Sequence, residues 1–499
     1  MSDLIVPPAH ERGADYSRTL RLAAANAAHD EIALKSRLEG SVVRVSADPT
    51  APAALITLQV LVANLRRLPV QLHLDPRGGD KEIPSRWLSD LEQLAAGIDP
   101  ERPLVVTSRV GDGVHVHVGT SSTTALASGV ADGHGTRIRP RGTGFSTLAA
   151  AGTGLGGVLT ASLLTAEVFK VVVGVLPNRR GDLRPIDFCP VTLDAPQREV
   201  ALLGTLHDTT LVGCGAIGTA IALILRELTA DGTLTVVDPQ IFETPNVTTY
   251  SLGDLDDAAS QVRKVDLIER ELRTMDVSPH EGFARDYIDA IENGQFTMPQ
   301  IVLGALDSIE ARHDIAAIHA QHVLDGSTGG PAGTMLSLSE ATWAGPCLRC
   351  YFPARTSEAP TTDELLAQRT GLSLARISRG QDPLTPQELD ELGQLSEKDR
   401  AILETQVGKA VCGLGKALGL VGQADDFNPS AAFVAQQAAA LVVGSLIRGG
   451  LGAQARSVQY DALFGPRDEM TMARSPQPDC RCQTQRSLHE QVRSYRGAQ

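Results

Sequence analysis

Apolar and polar positions along the chain repeat with two periods, and those periods assign most of the elements. VVRVSADP (Val42–Pro49) and QLHLDPRGG, from Gln71, run as short apolar strands into polar turns. ITLQVLVANLRRL between them carries the 3.6-residue period of a helix. This is β-α-β in outline, with no glycine fingerprint after its first strand. PLVVTSRV and VHVHVG add two strands. Residues 130–146 are expected to be a Gly-rich loop and 147–169 an Ala-rich helix. From Asp208 the punctuation sharpens. DTTLVGCGAIGTAIALILREL reads as strand, glycine turn and helix, and TLTVVDPQ as a strand. QVRKVDLIERELRTM reads as a helix with Val262, Val265, Ile268 and Leu272 on one stripe, and QIVLGALDS and HVLDGSTGG as further strands. Strands that end in small or polar residues describe a doubly wound, mostly parallel sheet of an α/β protein.

Residues 351–428 change character, becoming polar and helical, with Thr385, Pro386 and Glu388 as a helix-start signal. The expected organisation is an α/β half over 1–195, a sheet core over 205–350, an inserted helical region over 351–428, and a closing helix with a cysteine-bearing tail over 429–499. AAGTGLGGVLTASLLTAEVFKVV and NPSAAFVAQQAAALVVGSLIRGG are alike in their small residues, which suggests that one such helix closes each half.

Composition narrows the function. The 499 residues carry 45 Lys and Arg against 59 Asp and Glu, a net charge of −14. A chain this acidic argues against a general nucleic-acid binder and against a polybasic membrane anchor. The N-terminus lacks the pattern of a signal peptide, and the two most apolar stretches read as buried helices rather than membrane spans. Seven cysteines, four of them in close pairs, suit a reducing, cytoplasmic compartment better than a disulfide framework.

The candidate chemistry begins at Gly213, Gly215 and Gly218, a GxGxxG turn between a strand and a helix, with Asp238 ending the next strand where a ribose acceptor belongs. The turn alone does not separate NAD from ATP. Asp307 ends the strand QIVLGALD, placed either to hold Mg²⁺ or to cap a helix together with Ser308. Lys264 is either a phosphate ligand or a solvated lysine, and Arg312 is placed to clamp a carboxylate or phosphate. Cys347 and Cys350 (CLRC) with Cys480 and Cys482 (CRC) supply four thiolates for a structural Zn²⁺ that would clip the tail to the core, the alternatives being catalytic thiols or a disulfide. Cys412 lies between Lys409 and Lys416, which suits a lowered thiol pKa and a nucleophile, while the residues alone favour a buried structural cysteine. Cys189 and Cys214 read as bystanders.

The ordered set from Gly213 to Cys350 resembles the E1/ThiF/MoeB superfamily of enzymes that adenylate ubiquitin-like proteins and sulfur carriers. The resemblance implies a Rossmann-like adenylation fold that binds ATP rather than NAD. It implies the ribose acid at Asp238, the loop asparagine at Asn246, the phosphate lysine at Lys264, the Mg²⁺ aspartate at Asp307 and a following arginine at Arg312. It places the cysteine motif on Pro346-Cys347-Leu348-Arg349-Cys350. Where the family carries an arginine three residues after that asparagine, this chain has Thr249, so phosphate neutralisation falls partly to another cation such as Arg263. Tyr16-Ser17-Arg18 resembles the family's opening segment, whose arginine reaches the active site of the opposite subunit. With residues 1–195 as an inactive pseudo-adenylation half, Arg18 would reach the second half within one chain, an intramolecular pseudo-dimer, with a homodimer as the alternative. The implied partners are a ubiquitin-like protein ending in glycine and an E2-like conjugating protein, with Cys412 as thioester carrier. The architecture is similar to activating enzymes of bacterial ubiquitin-like antiphage conjugation operons. A sulfur-carrier adenylyltransferase, an NAD(P)-dependent oxidoreductase and an inactive scaffold are the competing classes.

Overall fold

The computed structural model describes residues 13–77, 81–109, 111–120, 124–330, 332–353, 362–378, 383–392, 395–409, 411, 414–418, 430–449, 455–467 and 470–497. Two sheets organise the larger of two compact units, which comprises Met1–Pro353 and Pro429–Gln499. The first holds β1 (Val42–Ala47), β2 (Gln71–Asp75), β3 (Val105–Val106), β4 (Val114–Val118), β5 (Ala127–Asp132), β6 (Gly135–Pro140) and β7 (Ile186–Phe188), in the order β3-β2-β1-β4-β5-β6-β7. The second holds β8 (Leu206–Val212), β9 (Gly232–Val237), β10 (Met275–His280), β11 (Ile301–Gly304), β12 (His322–Gly329), β13 (Met335–Thr342), β14 (Arg456–Asp461) and β15 (Thr471–Ala473), in the order β10-β9-β8-β11-β12-β13-β14-β15. Strand for strand the orders are the same, with one antiparallel strand added to the second. In each sheet the first five strands of that order are parallel and the later pairings antiparallel. The α/β, doubly wound architecture expected from the sequence is therefore present twice.

The core explains the small residues. Helix Gly154–Val173 closes the first sheet and helix Ala432–Ile447 the second. They pack on each other and, respectively, on helices Ala54–Arg66 and Ala216–Glu227. Alanine and glycine allow these helices to approach closely: a Cβ at Gly154 would stand 2.4 Å from the Glu227 carbonyl oxygen. Among the described helices, Gly154–Val173 is the one long and apolar enough to cross a membrane, yet 94% of its most apolar window is buried inside the protein. Its charged pair, Glu167 and Lys170, is buried with it at 2.8 Å.

Three expectations need correction. Much of the loop expected at 130–146 is a hairpin, β5 and β6 turning at Gly133 (φ +58°). Every residue of β5 is buried, so the polar alternation that would have revealed a strand is missing. The following helix starts at Gly154 rather than 147, after Thr153, whose hydroxyl accepts the Gly156 N–H at 3.4 Å. The helix read from QVRKVDLIERELRTM spans only Lys264–Glu271, and the edge strand β10 that follows it, with Pro279 inside it, carried little strand pattern.

Ala354–Asn428 is a separate compact unit of short helices around Leu366, Leu389, Leu403 and Leu414. Its helix Pro386–Glu391 has the expected capping box. Thr385 Oγ1 accepts the Glu388 N–H at 3.1 Å, and Glu388 Oε2 accepts the Thr385 N–H at 2.9 Å. Cys412 lies outside the described residues. Lys409 is exposed, and Lys416 lies on the short helix Leu414–Ala417.

Candidate functional site

The site forms where β8 meets its helix, at the C-terminal ends of parallel strands beside the switch in strand order. Gly213 takes φ +93°, which disfavours any side chain, and its N–H donates to the Val237 carbonyl at 2.9 Å. A Cβ at Gly218 would stand 2.0 Å from the Gly213 carbonyl oxygen, so the helix can start against the strand only with glycine there. Gly215 is the N-cap of helix Ala216–Glu227 and leaves its first amides uncapped by any side chain.

Asp238 is buried and braces the turn. One carboxylate oxygen accepts the Cys214 N–H at 2.7 Å, the other the Gln240 N–H at 2.8 Å. Burial pushes its pKa up. Lys264 and the two N–H donors act against that rise, and nearby Asp307 adds to it. The Cys214 thiol is pushed well up by burial and by Asp238, so it is an inert neighbour.

Lys264 opens helix Lys264–Glu271 and is 3% exposed, which excludes the solvated-lysine reading. Its ammonium donates to Gln240 Oε1 at 2.5 Å and to the Tyr250 hydroxyl at 2.9 Å. Burial opposes its charge, but Tyr250 and Asp238 more than offset this and raise the pKa. Asp307 is exposed on the turn after β11. Ser308 caps the next helix, accepting the Ala311 N–H at 3.1 Å, so Asp307 does not serve as the cap. Asp238, Lys264 and Asp307 thus converge beside the 213–218 turn.

Other expected residues are engaged differently. Asn246 is buried, and its side-chain oxygen accepts the Glu243 N–H at 2.8 Å, shaping its own turn. Arg263 is turned to solvent and held by Asp266 at 2.6 Å and Glu281 at 3.0 Å. Arg312 is buried and committed internally. Its Nε meets Asp325 Oδ2 at 3.0 Å, and its two terminal nitrogens donate to the carbonyls of Leu306 (2.5 Å) and Ser308 (3.4 Å), the neighbours of Asp307 on either side. It holds the Asp307 turn rather than offering a free clamp. Thr249 is fully buried, with its hydroxyl 3.4 Å from the carbonyls of Pro245 and Asn246. Arg18 is half-buried on helix Ser17–Asn26. The segment before it is tied to the second half, because the Thr248 hydroxyl donates to the Asp15 carbonyl at 2.6 Å.

Sequence reasoning missed Tyr250 and Asp325. The Tyr250 hydroxyl lies beside Gly215, 3.6 Å from where a Cβ there would be, and its ring packs edge-on to Phe242 at 5.8 Å. Its place directly after the departing Thr249 was the available signal. Asp325 is fully buried on β12, and burial lifts its pKa to about 6 despite Arg312. Its signal was a carboxylate in an apolar strand.

The four expected cysteines meet. Cys347 and Cys480 Sγ atoms are 3.6 Å apart, Cys350 and Cys482 3.5 Å, and all four lie within 4.8 Å of one another. Those separations are far too long for disulfides, and they suit a tetrahedron with metal–sulfur bonds of about 2.3 Å. Burial, with hydrogen bonds to the neighbouring Cys480 and Cys482 thiols, pushes the Cys350 thiol up to about 11, so four thiolates together call for a cation. Arg349 and Arg481 lie in sequence between the paired cysteines.

A glycine turn, a buried acid ending the next strand, a buried lysine and an exposed aspartate stand together at the ends of parallel strands, the arrangement of a phosphate-binding crevice in a doubly wound α/β protein. The ThiF family profile matches residues 205–482, more than half of the chain, and the chain belongs to the ThiF family. Family members use ATP with Mg²⁺, and the residues beside the turn fit both. No curated protein matches the chain. Among solved structures it is similar to E. coli MccB, at 15% identity and TM-score 0.32, covering 55% of this chain and 64% of that one, so it spans less than two thirds of that neighbour. Against E. coli MccB with ATP the values are 12% and 0.32, over 71% and 97%. Against PaaA they are 15% and 0.26, over 54% and 72%.

Proposed function

We propose that this chain activates the C-terminal glycine of a ubiquitin-like protein with Mg-ATP and then carries it as a cysteine thioester to an E2-like partner. The observation that carries the reading is the convergence of Asp238, Lys264 and Asp307 on the glycine turn. The turn and helix start receive the phosphates, Asp238 accepts from the ribose, and Lys264 turns its ammonium from Gln240 to phosphate oxygens. Asp307 holds Mg²⁺, which supplies charge neutralisation when bound. The glycine carboxylate attacks the α-phosphorus, the bond to pyrophosphate breaks, and pyrophosphate leaves with its electron pair. The Cys412 thiolate then attacks the acyl carbon, forming the thioester and releasing AMP. Asn246 shapes its loop, and Arg18 adds positive charge from the first half. Arg263 stays paired at the rim, and the Arg312–Asp325 pair fixes the Asp307 turn. Zn²⁺ on Cys347, Cys350, Cys480 and Cys482 ties the tail to the core.

The matching strand orders support an intramolecular pseudo-dimer, with residues 1–195 as its inactive half. The cytoplasmic assignment draws support from free buried thiols at Cys189 and Cys214. The test is ATP–pyrophosphate exchange with and without a small diglycine-ended β-grasp protein. Exchange that appears only with that protein, and a reductant-sensitive adduct lost in Cys412→Ala while exchange remains, is the expected result. Exchange without any adduct in the wild type would favour a sulfur-carrier adenylyltransferase. Neither would favour an inactive scaffold.

A further inference from the structure

At the opposite end of the sheet from the glycine turn, a cavity of about 220 Å³ lies between the start of β12 and the C-terminal helix Arg486–Gly497. Arg349, Arg481 and Arg486 line it together with the rings of His319 and His489, and no carboxylate does. That is unusual in a chain of net charge −14. The two histidine rings lie 4.6 Å apart, and neither makes a hydrogen bond among the described residues. Burial, then the other ring and the surrounding arginines, push His319 down to about 4, so it stays a neutral ring with a donor to offer. The opposite wall is apolar, built from Val323, Leu348 and Trp343.

A larger cavity of about 390 Å³ between the halves offers no such pattern. Its Arg226 and Arg270 are already paired, at 2.5 Å each, with Glu271 and Asp257. In the smaller one, Arg481 makes no ion pair among the described residues, Arg486 meets Glu490 at 3.3 Å in a largely exposed pair, and Arg493 stacks over Trp343 at 4.9 Å. A metal on the four thiolates would leave a charge of about −2 nearby, which Arg349 and Arg481 offset. The ring donors then remain for a ligand, with Arg486 beside them in its exposed pair with Glu490.

We infer that this cavity binds a small anion on a flat apolar body, an aromatic carboxylate or phosphate monoester, with the anionic group on the His319, His489 and arginine side and the body against Trp343 and Leu348. Its size suits a fragment of one ring, somewhat below the usual range of ligand pockets. The site is independent of the adenylation reading.

The test is calorimetric titration of the full zinc-loaded chain with benzoate, phenyl phosphate and, as neutral isostere, benzamide. Saturable binding of either anion, at least tenfold tighter than benzamide, is expected. It should survive saturating Mg-ATP and be lost at least tenfold in His489→Asp with zinc content and Tm retained. If that variant loses zinc, Arg486→Glu serves the same comparison. Equal binding of benzoate and benzamide, no saturable binding of either anion, or anion binding unchanged in a folded, zinc-loaded variant would overturn the site. Displacement of benzoate by Mg-ATP would place it at the nucleotide turn instead and would equally overturn it.

Discussion

The two halves share one strand order and differ at the strand ends where a nucleotide would sit. In the second half, Gly213 turns the chain so that the Cys214 amide meets Asp238, and the helix begins with open amides. In the first half, β2 likewise ends in an acid, Asp75, but Arg44 of β1 takes it in a buried ion pair. The turn after β1 has no glycine. Asp48 closes it by accepting the Thr50 N–H at 2.9 Å. At the end of β1 the Ser46 hydroxyl bonds His115 at 2.8 Å and His117 at 2.9 Å. The same strand order is built twice, and the two copies differ in the residues at the strand ends.

That comparison is broken first at Asp307. Asp307→Ala should lower ATP–pyrophosphate exchange by about 100-fold or more with the fold intact, because charge developing at the reacting phosphate loses its metal. An exchange rate within a few-fold of wild type would remove Asp307 from the site. Lys264→Met comes next, with an expected loss of about 10- to 100-fold and a raised KM for ATP. Arg263→Ala, whose side chain faces solvent, should change either value less than twofold.

Stability separates the halves further. Asp75→Asn strands Arg44 and should cost about 3 kcal/mol by chemical denaturation, with exchange per folded molecule unchanged. A fall in exchange alone, at full stability, would assign the first half a direct part in the chemistry. The smallest effect is in pH. Burial holds His115 and His117 down at about 4 in the folded chain, below an ordinary value near 6.5. Depressed histidines lend stability that is fully present above the unfolded value and is lost as pH falls from about 6.5 towards 4. A His115→Asn, His117→Asn double variant should therefore show a flatter acid limb in Tm between those pH values.

Much of the second half was legible because its signals are local. The glycine turn, Asp238 and the paired cysteines declare themselves within a few residues, and the cysteines meet as their spacing suggested. The contacts of Lys264, Tyr250 and Arg312 were not legible, since each depends on a partner brought in by tertiary packing. Arg312 looked like a free clamp because Asp325 reaches it only when β12 pairs with β11. The β5–β6 hairpin was hidden by burial on both faces, which erases the period-two alternation. In the first half, the Arg44–Asp75 pair required the register of β1 on β2.

Calorimetric titration with Mg-ATP tests the central claim most directly. One site per chain is expected, lost in Lys264→Met and kept in Asp75→Asn. Two sites per chain, or one that survives Lys264→Met and disappears with Asp75→Asn, would contradict the assignment of nucleotide binding to the second half.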